Sequence, residues 1–266
     1  MHGTCPLTSG DTRMRLAVIS DIHGNCVALD AVLQHLQAAG IDQVVCLGDA
    51  IQGGPQPAET VQRLRALGCP VVLGNADAFL LSGTDAGAVE PVTEAQLRVR
   101  AWSLAHLSAR DVAFIAGSQP TLEIAFAGNV PVLCFHGSPN SYHDLIFPET
   151  PEEAFQRLLG QHSGAIMCGG HTHLQQIRRI GDYFFFNPGS VGLAYDRHAA
   201  AEHARIDPWA EYAVLETATN GRITLSFHRV PYAIDALLHT YASSGIPDAE
   251  QMIDQYRRAA RRLRSE

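Results

Sequence analysis

Residues 15–25 read Arg-Leu-Ala-Val-Ile-Ser-Asp-Ile-His-Gly-Asn. A short apolar run stops abruptly at an acid, a histidine and a glycine, the pattern of a buried strand that delivers polar groups to a sheet edge. Apolar positions Leu29, Val32, Leu33 and Leu36 then recur at helical spacing, and Gly40 stops that helix. A second apolar run over residues 43–47 ends at Gly48-Asp49. Strand, helix and strand in about 30 residues make a βαβ unit. The two strands are therefore expected to lie parallel, joined by a helical crossover.

The same alternation continues outward. Val61, Leu64 and Leu67 mark a helix closed by Gly68, and residues 69–73 predict a strand ending at Gly74-Asn75-Ala76-Asp77. Residues 78–118 read as an irregular helical insertion, glycine-rich around 82–88, which is either a cap over a site or two packed helices joined by a loop. Residues 122–126 and 131–135, split by Gly128-Asn129, predict a hairpin whose second strand ends at His136-Gly137-Ser138-Pro139. Thr150 and Glu153 form a capping-box pattern, with Pro151 at the first position of a helix running to about residue 159. Residues 165–168 predict the next strand, ending at Gly169-Gly170-His171-Thr172-His173. Two further strands flank Gly181-Asp182, and the second stops at Asn187-Pro188-Gly189-Ser190. Residues 212–216 and 222–229 pair across Asn220-Gly221, and two helices close the chain. No linker-like composition interrupts residues 14–266, which are expected to form one domain. Residues 1–13 are expected to be a disordered leader, with Met14 as an alternative start.

Composition bounds the function. With 266 residues, 46% hydrophobic and 17% charged, the chain can bury a sizeable core. Nineteen basic residues against 27 acidic ones leave a net charge of −8, which argues against a general nucleic-acid binder. No apolar run approaches the ~18 residues of a membrane-spanning helix, and the first residues lack the apolar stretch of a secretory signal. Cys5, Cys26, Cys46, Cys69, Cys134 and Cys168 include no CxxC pair and read as free thiols of a cytoplasmic protein.

The strand ends carry the chemistry. Open α/β sheets place ligands at the carboxyl ends of their parallel strands. Here five apolar runs end in Asp21 and His23, in Asp49, in Asn75, in His136, and in His171 and His173. A single Asp or His after a strand is ordinary turn chemistry, but these ligand types at five strand ends are not. Burying so many polar groups together without a cation would also be costly. Two cations ~3.5–4 Å apart need a bridging ligand, and a carboxylate has two oxygens for it. A His/Asp/Asn set without thiolate suits Mn, Fe, Zn, Co or Ni. Two carboxylates against two divalent ions leave the site locally positive, so an anionic phosphate would be drawn to it.

The ordered series DIHG, GD, GN, HG and GHTH resembles the calcineurin-like metallophosphoesterases, over roughly residues 16–196. The HGSP, GGHTH and NPGSVG versions are similar to the small bacterial phosphodiesterase-type branch of that superfamily. The resemblance implies an α/β fold, two mixed β-sheets packed as a sandwich with flanking helices in a four-layer αββα arrangement. It implies that Asp21, His23 and His173 bind one metal, that Asn75, His136 and His171 bind a second, and that Asp49 bridges them. It further implies a metal-held hydroxide attacking phosphorus directly, with no covalent phospho-enzyme, in which Asp49, Asn75 and His136 act by positioning metal and phosphate.

The chain departs from the family pattern at one position. The motif after the third strand is commonly GNH followed by Asp or Glu, and that histidine helps protonate the leaving oxygen. This chain has Ala76 there. General-acid help is worth ~10²–10⁴-fold, so a phosphodiesterase acting on a small phosphate ester is the leading expectation. The alternatives are a phosphomonoesterase or dinucleoside polyphosphate hydrolase, and a catalytically silent protein-binding scaffold on the same fold.

Quieter positions have quieter readings. His143 reads as a surface-loop histidine that could substitute for the missing acid, Asp77 as a helix cap or brace, and Asn25 as a helix cap. Asn187 to Ser190 reads as a rigid turn supporting the site, and Tyr195 and Arg197 as a solvated loop. The arginines at 257, 258, 261, 262 and 264 read as a solvated helix end favoured by the macrodipole. Specificity is expected to lie in the 78–118 region and the 137–150 loop.

Overall fold

The structure, a computed structural model, describes residues 14–85, 87–88, 91–126, 130–162, 165–194, 206–217 and 222–263. The expected leader, Gly128-Asn129, Tyr195, Arg197 and the Asn220-Gly221 turn lie outside the described residues. Strand β1 (Arg15–Ile19) leads into helix α1 (Cys26–Ala39) and strand β2 (Gln43–Cys46). β1 and β2 pair in parallel, Ile19 opposite Cys46, as a helical crossover requires. Asn25 caps α1 by accepting from Ala28 N at 3.0 Å, and Gly40 ends it in the left-handed region.

Helices α2 (Pro57–Leu67), α3 (Asn75–Ser82), α4 (Glu94–Ala105) and α5 (Ala109–Ala116) follow. The strand expected over residues 69–73 shrinks to two isolated bridges, Cys46 to Val71 and Val72 to Gln119. Pro70 has no N–H to donate, which removes one rung from any ladder there. Strands β3 (Thr121–Phe126) and β4 (Val130–Phe135) form the expected hairpin pair, Thr121 opposite Phe135. Helix α6 (Glu152–Leu159) corrects the capping-box expectation. Its N-cap is Pro151, without a side-chain cap, while Thr150 Oγ1 turns back to accept from Phe147 N at 2.9 Å. Strands β5 (Ile166–Cys168), β6 (Gln176–Ile180), β7 (Tyr183–Asn187), β8 (Trp209–Thr217) and β9 (Ile223–Pro231) precede helices α7 (Ile234–Ser244) and α8 (Ala249–Leu263).

The strands make two mixed sheets, ordered β2-β1-β8-β9 and β3-β4-β5-β7-β6. Side-chain alternation sorts the core into layers. Leu16 and Val18 of β1 face the other sheet, packing with Val132, Cys134, Cys168 and Phe186. Ala17 and Ile19 face the opposite way, onto Leu29 and Val32 of α1 and Val61 and Leu64 of α2. The far side of the second sheet is covered by α6, whose Phe155 and Leu159 bury against Phe135, Met167 and Phe185. Helix, sheet, sheet, helix is therefore the order through the molecule. β1 is apolar on both faces because both are covered. Leu80 of α3 and Ile115 of α5 are buried in the layer that holds α1 and α2. Tyr241 and Ile246 pack against Ile253 and Tyr256 of α8 beside the α7 contact residue Leu237. Among the described residues no helix is long and apolar enough to cross a membrane.

Candidate metal centre

Parallel strands β1, β2, β4 and β5 all point the same way within their sheets, so the turns at their carboxyl ends share one edge. Asp21 and His23 follow β1, Asp49 follows β2, His136 follows β4, and His171 and His173 follow β5. Asn75 opens α3. The structure brings all seven sequence-predicted residues to that edge. Ligating atoms of Asp21, His23 and His173 lie within 4.8 Å of one another, as do those of Asp49, His136 and His171. Asn75 Oδ1 is 3.0 Å from His136 Nε2.

The turns are strained. Asp21, His23, Asp49, His171 and His173 all have φ between +47 and +66. A non-glycine residue in this left-handed region costs roughly 1–3 kcal/mol, and such residues cluster where function demands them. Close backbone approach makes the geometry possible. A Cβ on Gly74 would lie 2.1 Å from Asp49 Oδ1, and one on Gly170 would lie 2.1 Å from Ser20 Oγ.

Tautomers decide what the site can hold. His23 Nδ1 lies 2.9 Å from the carbonyl of Gln52, His136 Nδ1 2.8 Å from that of Leu47, and His173 Nδ1 2.6 Å from that of Leu193. A carbonyl only accepts, so each Nδ1 carries a proton, and Nε2 is the ring atom turned inward. Yet His23 Nε2 and His173 Nε2 are 3.1 Å apart, and His173 Nε2 is 3.1 Å from Asp21 Oδ1. Likewise His136 Nε2 faces Asn75 Oδ1 and, at 3.4 Å, Asp49 Oδ2. Acceptor atoms gathered this closely are stabilised by positive charge among them, whether a proton on an imidazole or a metal ion. A backbone carbonyl behind each imidazole is also the usual second support of a metal-ligating histidine. The donor set fits divalent metal ions.

Asp49 sits between the two groups. Its Oδ1 accepts from Ala76 N at 2.8 Å, while its Oδ2 lies 3.4 Å from His136 Nε2 and 3.9 Å from His23 Nε2. Protons report the same field. Burial pushes the Asp21 and Asp49 carboxyls up, but His173 beside Asp21 and His136 beside Asp49 overrule it and hold both well below the usual carboxylate range. Burial opposes charge on His136, but Asp49 and Asp21 draw it up to about 9.

The sequence profile of the calcineurin-like phosphoesterase superfamily domain matches residues 14–219. The chain belongs to this superfamily. Among relatives of this calcineurin-like phosphoesterase, the phosphodiesterase YfcE of Escherichia coli strain K12 is 27% identical over 191 residues, covering 68% of this chain and 80% of the relative. An uncharacterized protein of Methanocaldococcus jannaschii is 26% identical over 184 residues, 68% of this chain and 72% of that one. A metallophosphoesterase from Sphaerobacter thermophilus shares the fold at TM-score 0.67 and 24% identity, with 91% of this chain and 98% of that one aligned. A hypothetical protein of Pyrococcus horikoshii OT3 does so at TM-score 0.73 and 17% identity, over 90% and 97% of the two chains.

Other residues of this phosphoesterase support the ligand turns. Asp77, fully buried, accepts from Ala50 N and Ile51 N at 3.1 and 3.2 Å, bracing the turn that carries Asp49. Burial, then Asp49, raises its carboxyl to about 6. Asn187 Nδ2 donates to Gly170 O and Thr172 Oγ1, and Ser190 Oγ donates to Asp21 O, so residues 187–190 hold both ligand turns. His143 is not the solvated loop residue the sequence suggests. Its ring is largely covered, with Nε2 3.2 Å from Asp85 Oδ1. Sequence reasoning missed Ser20, whose Oγ donates to Asp21 Oδ2 at 2.6 Å, and the N–H of Ala76. A small polar residue directly before the DIH motif is the only signal that could have found the first. The second is backbone and has none.

Proposed function

We propose that this chain is a metal-dependent phosphodiesterase acting on a small phosphate ester, with Asp21, His23 and His173 holding one divalent ion, Asn75, His136 and His171 a second, and Asp49 shared between them. The carrying observation is the three imidazoles whose Nδ1 protons are spent on carbonyls and whose Nε2 atoms face other acceptors. Bound divalent ions would supply Lewis acidity, lowering the pKa of water and neutralising charge on phosphate. The chain's own part is positional. Strained turns fix the donors before substrate arrives, so little reorganisation remains for the reacting state. Manganese, iron, zinc, nickel and cobalt all suit these donors.

Diesters are favoured over monoesters because Ala76 carries no side-chain proton to give. Its N–H is committed to Asp49. A diester with a good leaving group does not need that proton. Free thiols at all five described cysteines support a reducing, cytoplasmic setting.

The test is direct. Metal analysis of gently purified protein is expected to find about two transition ions per chain. With Mn²⁺ or Ni²⁺ added, bis(p-nitrophenyl) phosphate is expected to be cleaved faster than p-nitrophenyl phosphate. Protein without metal and without turnover would instead fit the scaffold reading, and faster monoester cleavage would overturn the diester preference.

A further inference from the structure

The loop after β4 does more than deliver His136. It folds over a cavity of about 280 Å³ walled by Pro120, Pro139, Asn140, Tyr142 and His143, with Gly87 contributed by the segment after α3. The cavity is built on the loop that leaves the ligand-bearing edge at His136. Ser138, two residues beyond His136, also lines it, and Pro120 leads into Thr121, which pairs with Phe135 at the end of β4.

Its walls are fixed by specific contacts. Ser138 Oγ donates to Asp144 Oδ2 and accepts from Asn140 N and Ser141 N, and Ser141 Oγ accepts from His143 N at 3.1 Å. The 3.2 Å approach of His143 Nε2 to Asp85 Oδ1 brings this loop against the segment between α3 and α4. Gly87, at φ +107, presses on the same ring, and a Cβ there would come within 2.9 Å of His143 Cδ2.

The lining selects its occupant. Two prolines and the rings of Tyr142 and His143, with centroids 4.7 Å apart, give the wall an apolar and aromatic character. Asn140 is exposed and carries an amide that both donates and accepts. Neither lysine nor arginine is among the lining residues, and His143 is turned to Asp85, so the wall does not suit a phosphate. The volume falls just short of the about 300 Å³ at which drug-sized ligand sites begin. It suits one ring system with its sugar.

We propose that this cavity is the subsite for the organic group of the ester, and that it takes a nucleoside, base against Tyr142 and the prolines, polar edge toward Asn140. The assignment rests on the phosphodiesterase reading, since the neighbouring donors would hold the phosphate.

Phosphate-free probes test it without turnover. Zinc-loaded full-length protein is titrated with adenosine and with uridine, followed by saturation-transfer NMR, with ribose as the control. At least one nucleoside is expected to bind in the millimolar range while ribose does not. Base–aromatic stacking sets the scale of the expected loss, so Tyr142→Ala should weaken binding at least about fivefold. Asn140→Ala, at an exposed position, should weaken it less. Tyr142→Leu keeps bulk and removes the stack, so it gives the same readout if the alanine variant does not fold. Absence of nucleoside binding, or binding untouched by these substitutions, overturns the proposal. Hydrolysis of bis(p-nitrophenyl) phosphate by metal-loaded wild type is read separately. Hydrolysis without nucleoside binding removes the subsite alone, whereas binding without hydrolysis upholds the ligand class and removes the phosphodiesterase reading.

Discussion

His23 Nε2 and His173 Nε2 stand 3.1 Å apart while the Nδ1 of each ring is tied to a backbone carbonyl. Inward-facing imidazole nitrogens this close suit a shared cation, so on the two-ion reading removing metal should cost stability. Ligand at 1,000 times its dissociation constant stabilises a native state by about 4 kcal/mol. For a chain of this size each kcal/mol moves Tm by roughly 2–4 °C. Manganese-saturated protein is therefore expected to melt on the order of 10 °C above chelated protein in calorimetry, and equal melting temperatures would contradict the two-ion site.

Ala76 separates the backbone role of its position from the side-chain role. Its N–H donates to Asp49 whatever side chain it carries, so Ala76→His should leave metal content at the wild-type level. The added imidazole would supply the proton that a basic leaving oxygen needs, an effect worth ~10²–10⁴-fold where it operates fully. The kcat/KM for phenyl phosphate is expected to rise at least about tenfold, with bis(p-nitrophenyl) phosphate nearly unchanged. If both substrates respond equally, leaving-group protonation is not what Ala76 withholds.

Much of this architecture was legible in order along the chain because strands covered on both faces are continuous apolar runs, and each run stops where the ligands begin. Leu16 to Ile19, followed by Asp21 and His23, is the plainest instance. Boundaries governed by single hydrogen bonds were not legible. Thr150 satisfies the capping pattern in composition, yet its hydroxyl serves Phe147 and the helix begins after Pro151. The run 69–73 has strand composition, but Pro70 leaves it only isolated bridges. At the site, side-chain donors could be read and their supports could not. The carbonyls of Leu47, Gln52 and Leu193 come from main chain that any residue possesses. His143 looked solvated because its partner, Asp85, lies far away in sequence and only the fold brings it near.

Asp77 should behave as a positioning residue for Asp49. Its Oδ1 accepts from both Ala50 N and Ile51 N, and an orphaned buried N–H costs about 1–3 kcal/mol. Asp77→Ala is expected to lower Tm by several degrees and to weaken metal affinity, outer supports of this kind being worth about 10–100-fold. Asp77→Asn keeps one acceptor oxygen and should recover most of the metal affinity. Titration of chelated protein with Mn²⁺ reads this directly, and an alanine variant with wild-type affinity would reduce Asp77 to a packing residue.

Gly74 explains why the third motif needs its glycine although its φ, at −89, is open to any residue. The constraint is contact. A Cβ at this position would lie 2.1 Å from Asp49 Oδ1 and 2.4 Å from Asp49 N, and neither main chain nor a shared ligand can yield without moving the donors. Gly74→Ala should therefore push Asp49 away from Ala76 N and from His136 Nε2 together. The expected result is folded protein of reduced stability whose metal content falls well below that of wild type, with diester hydrolysis falling in step. Metal analysis beside circular dichroism separates this from general unfolding: native ellipticity with a full complement of metal would mean that the Asp49 turn tolerates the methyl group and that its position is set elsewhere.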